Sequence, residues 1–290
     1  MSHLIEVQGL CKKLGKFEMD DLSFTLPNGC IMGYIGENGA GKTTTIRLLL
    51  GLLKRDAGTI RLLGQELDQA DGTLFEQIGT VMDEPAFPQY FTVAQVGRVM
   101  AGLYKSWDGG VFDQWVDRFG LVRDKKVKDL SRGMKMRLSL GVALSHHPRL
   151  LLLDEATNGL DPVARNEILD LLMEFIQEEQ NGVFLSSHIT SDLEKICDYI
   201  ALIRNGRIAF VQEKDALLEE TGVLKCGGGE FEKLDRGDLL GYHRGRFEVA
   251  ALVAGRAAKE KKYPWASFEK PTLEDIMMLW DKEEDKTCEA

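Results

Sequence analysis

The chain has 290 residues, 44% apolar and 28% charged, enough to bury a full α/β core with a small added domain. Asp and Glu outnumber Lys and Arg by 46 to 36, a net charge of −10, which argues against nucleic acid as the main partner because phosphate backbones are gripped by clustered positive charge. Cys11, Cys30, Cys197, Cys226 and Cys288 show no C-x-x-C spacing, and apolar runs such as Leu150 to Leu153 are far short of the ~20 residues that span a bilayer. A reduced, cytosolic setting is expected, with any membrane role exercised by docking onto something else.

Short β signals at Leu4 to Val7, Leu22 to Leu26 and Ile60 to Leu63, each bounded by polar or Gly/Pro residues, predict a small, partly antiparallel sheet. Ile31 to Ile35 reads as a buried strand ending in a Gly-rich loop, and Thr44 to Leu53 has helical apolar spacing. Between Thr92 and Ser145 the spacing predicts helices over Val93 to Tyr104, Val111 to Phe119 and Gly133 to Leu144. Arg149 to Asp154 and Val183 to His188 are near-continuously apolar, as parallel strands covered on both faces tend to be. Two further apolar runs, within Tyr199 to Val211, flank Asn205-Gly206, a tight-hairpin dipeptide. Past Glu220 the composition shifts, and Gly227, Gly228 and Gly229 suggest a flexible joint. Pro271-Thr272-Leu273-Glu274-Asp275 resembles a helix start with Thr272 as cap.

The segment Gly36-Glu37-Asn38-Gly39-Ala40-Gly41-Lys42-Thr43, followed by Thr44, matches G-x-x-x-x-G-K-[ST]. Its glycines let successive backbone N–H groups converge on phosphate oxygens at a helix N-terminus. Lys42 is expected to reach the β- and γ-phosphates of ATP, and the Thr43 hydroxyl to ligate Mg²⁺. Asp154 and Glu155 follow a buried strand; with a P-loop present, Asp154 is the expected holder of the Mg²⁺ shell and Glu155 the group that orients and deprotonates the attacking water. His188 ends the next strand, at the sheet edge where ligands of doubly wound folds collect, placed to sense the γ-phosphate.

These pieces, with Leu130-Ser131-Arg132-Gly133-Met134 before the apolar strand and Asn158-Gly159-Leu160-Asp161 after Glu155, resemble the ATP-binding subunit of ATP-binding-cassette (ABC) transporters over about Leu4 to Val211. The resemblance implies an α/β fold: a P-loop NTPase (RecA-like) core, an antiparallel β subdomain, a helical insert at about 88–146 and a small C-terminal α/β extension, with the ATP-binding domain at 1–223 and an accessory domain at 224–290. It implies that Ser131 and Gly133 touch the γ-phosphate of an ATP held by a partner subunit, and that Asp161 lies at the dimer seam. Ser131 is a good helix cap, and the helix start behind it is an anion site.

Four departures stand out. Arg132-Gly133-Met134 replaces the usual Gly-Gly-Gln, and Asp83, with Glu84 next, replaces the glutamine after Ile78 to Met82; a carboxylate at Asp83 is expected to hold Mg²⁺ or its water. The aromatic that in the family commonly stacks on adenine, expected near Leu14, is missing, and Phe17 is the expected substitute. Ala156 stands where proline is common. By resemblance the chain is the ATP-hydrolysing motor of an exporter of drugs, peptides or lipids. It would act as a homodimer or heterodimer with a membrane-spanning permease on a separate chain, at the inner face of the membrane, with no nucleic acid involved. Two other readings stay open: an ATP-binding regulatory module with little turnover, and a soluble relative acting on ribosomes or DNA.

Overall fold

The computed structural model describes residues 3–83, 87–281 and, as backbone, 283–285; Glu84 and Cys288 lie outside the described residues. The chain forms two compact units, Met1–Val211 and Gln212–Ala290. Among the described residues, no helix is long and apolar enough to cross a membrane.

The first unit opens with strands β1 (His3–Leu14), β2 (Phe17–Pro27) and β3 (Ile31–Ile35), then helix α1 (Lys42–Leu49), β4 (Ala57–Leu62), β5 (Gln65–Glu66), α2 (Gly72–Phe75) and β6 (Ile78–Val81). The helical insert follows as α3 (Val93–Leu103), α4 (Gly109–Arg118) and α5 (Arg132–Leu144). Its last elements are β7 (Leu150–Asp154), α6 (Pro162–Phe175), β8 (Gly182–Ser186), α7 (Thr190–Ile196), β9 (Tyr199–Arg204) and β10 (Arg207–Glu213), whose last two residues lie past Val211.

A four-stranded sheet runs β2-β1-β4-β5 and is antiparallel at each of these pairings, more uniformly than the sequence suggests. Its inward side chains, among them Leu4, Val7, Leu10, Leu22, Leu26, Ile60 and Leu62, join one core with Met32, Tyr34, Leu150 and Phe184 of the second sheet. That sheet runs β10-β9-β3-β8-β7-β6, and the five strands from β9 to β6 pair in parallel. Strand β7 lies inside it with every residue buried, which accounts for its unbroken leucines. Each such side chain taken from water contributes roughly 1.5–3 kcal/mol. Asn205 and Gly206 both take left-handed φ, 48° and 74°, as a type I′ hairpin turn requires.

The insert's helices start at side-chain caps. Thr92 and Gln95 form a reciprocal capping box on α3, Asp108 caps α4, and Ser131 caps α5. Gly97 lets α3 pack closely on α4, since a Cβ there would lie 2.4 Å from Phe112 Cε1. The insert is fastened to the core where the Glu76 carboxylate accepts from Lys105 and Ser106 N–H groups at 3.1 and 3.2 Å and where His146 stacks on Tyr104 at 4.1 Å.

The second unit contains α8 (Lys214–Glu220), β11 (Thr221–Cys226), α9 (Gly228–Phe231), β12 (Leu239–Arg244), β13 (Val249–Ala254), α10 (Arg256–Lys262), β14 (Ser267–Glu269), α11 (Leu273–Leu279) and β15 (Glu283–Asp285). Its sheet runs β14-β11-β13-β12-β15, with only β12 and β15 parallel. Phe231, Leu224, Val253 and Tyr263 belong to its core. The compact units divide at 211/212 and not at the expected 223/224, a position that falls within β11, an interior strand of the second unit's sheet. The three glycines are not a joint between units. Gly227 caps α9, its N–H donating to Glu230 Oε2 at 2.9 Å. Thr272 caps α11 as expected, in a box with Asp275.

Candidate active site

Strands β3, β8 and β7 are adjacent and parallel, so the segments leaving their C-terminal ends meet at one edge of the sheet. A cavity of about 680 Å³ opens there, lined by Asn38, Gly39, Gly41, Lys42, Thr43 and Thr44 of the loop and α1, by Glu155 and His188, and by Leu14, Phe17, Asp83 and Asn158.

The loop is built for close approach. A Cβ on Gly36 would lie 2.4 Å from the Ile203 carbonyl oxygen, and Gly41 holds φ 118° at the N-cap of α1 with no side-chain cap. The first N–H groups of α1 therefore have no side chain competing for them, the arrangement that suits an anion. Behind the loop, the buried Tyr34 hydroxyl meets Thr45 Oγ1 at 3.0 Å, and that hydroxyl donates to the Gly41 carbonyl at 3.0 Å. Burial drives the Tyr34 phenol pKa far up, so it stays a neutral strut between β3 and α1.

Lys42, buried, donates to the carbonyls of Gly36 at 2.8 Å and Glu37 at 3.3 Å, and its Nζ lies 3.5 Å from Glu155 Oε1. Glu37 also pairs with Arg204 at 3.4 Å, and Ala40, within the loop, is buried. Glu155 has φ 52°, a strained left-handed conformation for a long side chain. Its N–H donates to the Ser186 carbonyl at 3.0 Å, and its Oε2 accepts from His188 Nδ1 at 2.6 Å. A carboxylate only accepts, so that ring nitrogen carries the proton. His188 lies in the loop beyond β8, which ends at Ser186, rather than on the strand as the sequence suggests.

Asp154 is almost fully buried behind Glu155, its Oδ1 accepting from Ser186 Oγ at 2.6 Å. Ser186 is its register partner across β7 and β8, a role the sequence alone does not reveal. Phe17 lines the cavity and packs on the loop, its Cζ 3.0 Å from where a Gly41 Cβ would lie. The carboxylate of Asp83 accepts from the Arg132 guanidinium.

Ser131, Gly133 and Asp161 do not line the cavity. Ser131 Oγ accepts from Met134 N–H at 3.2 Å, and Gly133 faces Leu160, whose Cδ2 is 3.5 Å from an added Cβ. Asp161 caps α6, accepting from the N–H groups of Val163 and Ala164 at 3.0 Å each. Those bonds, Ala164's foremost, hold its carboxyl below the usual range.

The family model described as ABC transporter matches residues 19–158. An uncharacterized ABC transporter ATP-binding protein of Bacillus subtilis, YhcH, is 36% identical over 229 residues, covering 76% of this chain and 73% of that protein. The chain belongs to the ABC transporter ATP-binding subunits. The bacitracin transport ATP-binding protein BcrA of Bacillus licheniformis is 36% identical to this ABC subunit over 214 residues, 72% of this chain and 69% of BcrA. A solved ATP-binding subunit of an ABC transporter superposes with a TM-score of 0.68 at 27% identity, covering 74% of this chain and 92% of that one. As an ABC ATPase the chain hydrolyses ATP for transport, and the cavity where its P-loop, Glu155 and His188 meet is the place in the fold suited to that chemistry.

Proposed function

We propose that this ABC ATPase drives export of a peptide antibiotic through a separate membrane-spanning subunit, working at the cytoplasmic face of the membrane as one half of a dimer that closes on two ATP molecules. The observation that carries the reading is the Lys42–Glu155–His188 cluster on one cavity; Ser131 does not line that cavity, and in this reading it completes a site in a second subunit. The substrate class is supported by the likeness to the bacitracin transport protein.

In this reading the loop N–H groups and Lys42 hold the triphosphate, and Phe17 stacks on the adenine. Glu155 takes the proton of the attacking water, its carboxylate kept in place by His188. The Thr43 hydroxyl on the cavity wall and the Asp154 carboxylate buried behind Glu155 are both hard oxygen donors. Such a sparse set suits Mg²⁺, which binds through one or two protein oxygens plus substrate phosphates; bound there, the ion would neutralise charge on the β- and γ-phosphates. Tighter binding of ATP by the closed pair than by separate subunits supplies the work.

Glu155→Gln tests the reading. The amide takes no proton, so ATP binding persists, turnover falls by about 100-fold or more, and light scattering detects an ATP-dependent dimer. Expressed with its membrane subunit in a bacitracin-sensitive host, the variant loses the protection that wild type gives. Wild-type turnover in the variant would refute the role of Glu155, and absence of protection by wild type would refute the substrate class.

A further inference from the structure

We infer that Asp83 and Arg132 form a positioning pair that fixes the start of α5 against the ATP cavity, and so governs closure of the dimer rather than the grip of one subunit on ATP. The inference rests on the proposal that the start of α5 completes an ATP site in a second subunit. Asp83 follows β6 and lines the ATP cavity with Lys42, Thr43 and Glu155. Its carboxylate accepts from Arg132, the first residue of α5 after the cap Ser131. The same guanidinium lies over Gly159, where an added Cβ would be 3.3 Å from Arg132 Cζ. Gly159, at φ 69°, stands two residues before the cap of α6. One side chain therefore joins three segments: the one after β6, the first turn of α5 and the one after β7.

Arg132 is not there to stabilise its helix, because a cation in the first turn opposes the helix dipole. Nor is the pair a source of fold stability, since both side chains are nearly half exposed, 48% and 43%, where ion pairs contribute little. What it does is hold a long, rotamer-rich side chain in one place, and with it the orientation of Ser131 relative to the cavity wall. This use of the Asp83 carboxylate also competes with any use of it as a metal ligand.

The test is a double-mutant cycle in the full chain carrying Glu155→Gln, reading the ATP-driven dimerisation constant by light scattering and Mg²⁺·ATP affinity at concentrations too low for pairing. Asp83→Asn and Arg132→Gln should each weaken dimerisation by about two- to five-fold, and the double variant should be no worse than either, because both remove one interaction. Arg132→Lys, which keeps the charge, should fall between parent and Arg132→Gln. Affinity of the separate Arg132→Gln subunit, whose changed side chain does not line the cavity, should stay within about two-fold. Loss of Mg²⁺·ATP affinity in Asp83→Asn, with Arg132→Gln like the parent, would overturn the inference and make Asp83 a metal ligand. Singles that pair as well as the parent, or additive effects, would overturn it too. A parent that does not dimerise would defeat the underlying proposal and this inference with it.

Discussion

Replacing Ser186 with alanine removes one oxygen from a site that otherwise keeps its shape. The hydroxyl donates to Asp154 Oδ1 at 2.6 Å, and both side chains are almost completely buried. A hydrogen bond to a charged group contributes about 1.5–3 kcal/mol. The hydroxyl's weaker contact, to Glu155 N–H at 3.3 Å, adds little because that N–H keeps the Ser186 carbonyl at 3.0 Å. For a unit of this size each kcal/mol moves the melting midpoint by about 2–4 °C, so the first unit should lose about 3–12 °C. Calorimetry suits the measurement, since a chain of two units need not melt in one step. Ser187→Ala is the control: its hydroxyl accepts a neutral bond from Ile189 N–H at 2.9 Å, a contribution of about 0.5–1.5 kcal/mol. A Ser186→Ala shift no larger than the control's would refute the claim that Ser186 holds the Asp154 carboxylate.

Gly36→Ala sets a methyl against the Ile203 carbonyl oxygen, so the loop must move and ATP affinity should fall by about ten-fold or more; titration calorimetry showing an unchanged Kd would refute the packing argument. In the second unit, hydrogen bonds from Lys259, Lys262 and Tyr263 hold the Asp238 carboxyl far below its usual range. The stability this adds is complete above the unfolded pKa of about 4 and is lost as pH falls below it. Asp238→Asn should therefore be less stable than wild type at neutral pH, with the gap closing in acid; a gap unchanged between about pH 7 and 3 would refute it.

The parts legible in the sequence are those with local causes. The P-loop is a run of neighbouring residues whose glycines and lysine act on one ligand, Leu150 to Leu153 reports burial on both faces, and Thr272 and Ser131 cap helices by bonds to residues three positions on. Ser186 is not legible in this way because its partner, Asp154, is set by the register of β7 against β8, which no short stretch encodes. Arg132 could be seen as a departure, but its pairing with Asp83 joins distant segments. Gly227 to Gly229 are ambiguous as a sequence because three glycines serve a joint and a helix start equally well. What separates the two is whether Glu230 reaches back to the Gly227 N–H.

Strand order assembles the site, and one strained residue completes it. With β3, β8 and β7 side by side and parallel, Lys42, His188 and Asp154 come to one edge of the sheet whatever the lengths of the intervening helices. Parallel pairing alone aims the residue after Asp154 away along the strand direction. The left-handed turn at Glu155, φ 52°, costs of the order of 1–3 kcal/mol and brings its carboxylate back across the edge. Three contacts offset that cost: its N–H to the Ser186 carbonyl, Oε2 to His188 and Oε1 to Lys42. Two of them are made by residues that line the same cavity, so the strain at Glu155 is balanced by its neighbours there, and a change at His188 or Lys42 also loosens the position of the carboxylate between them.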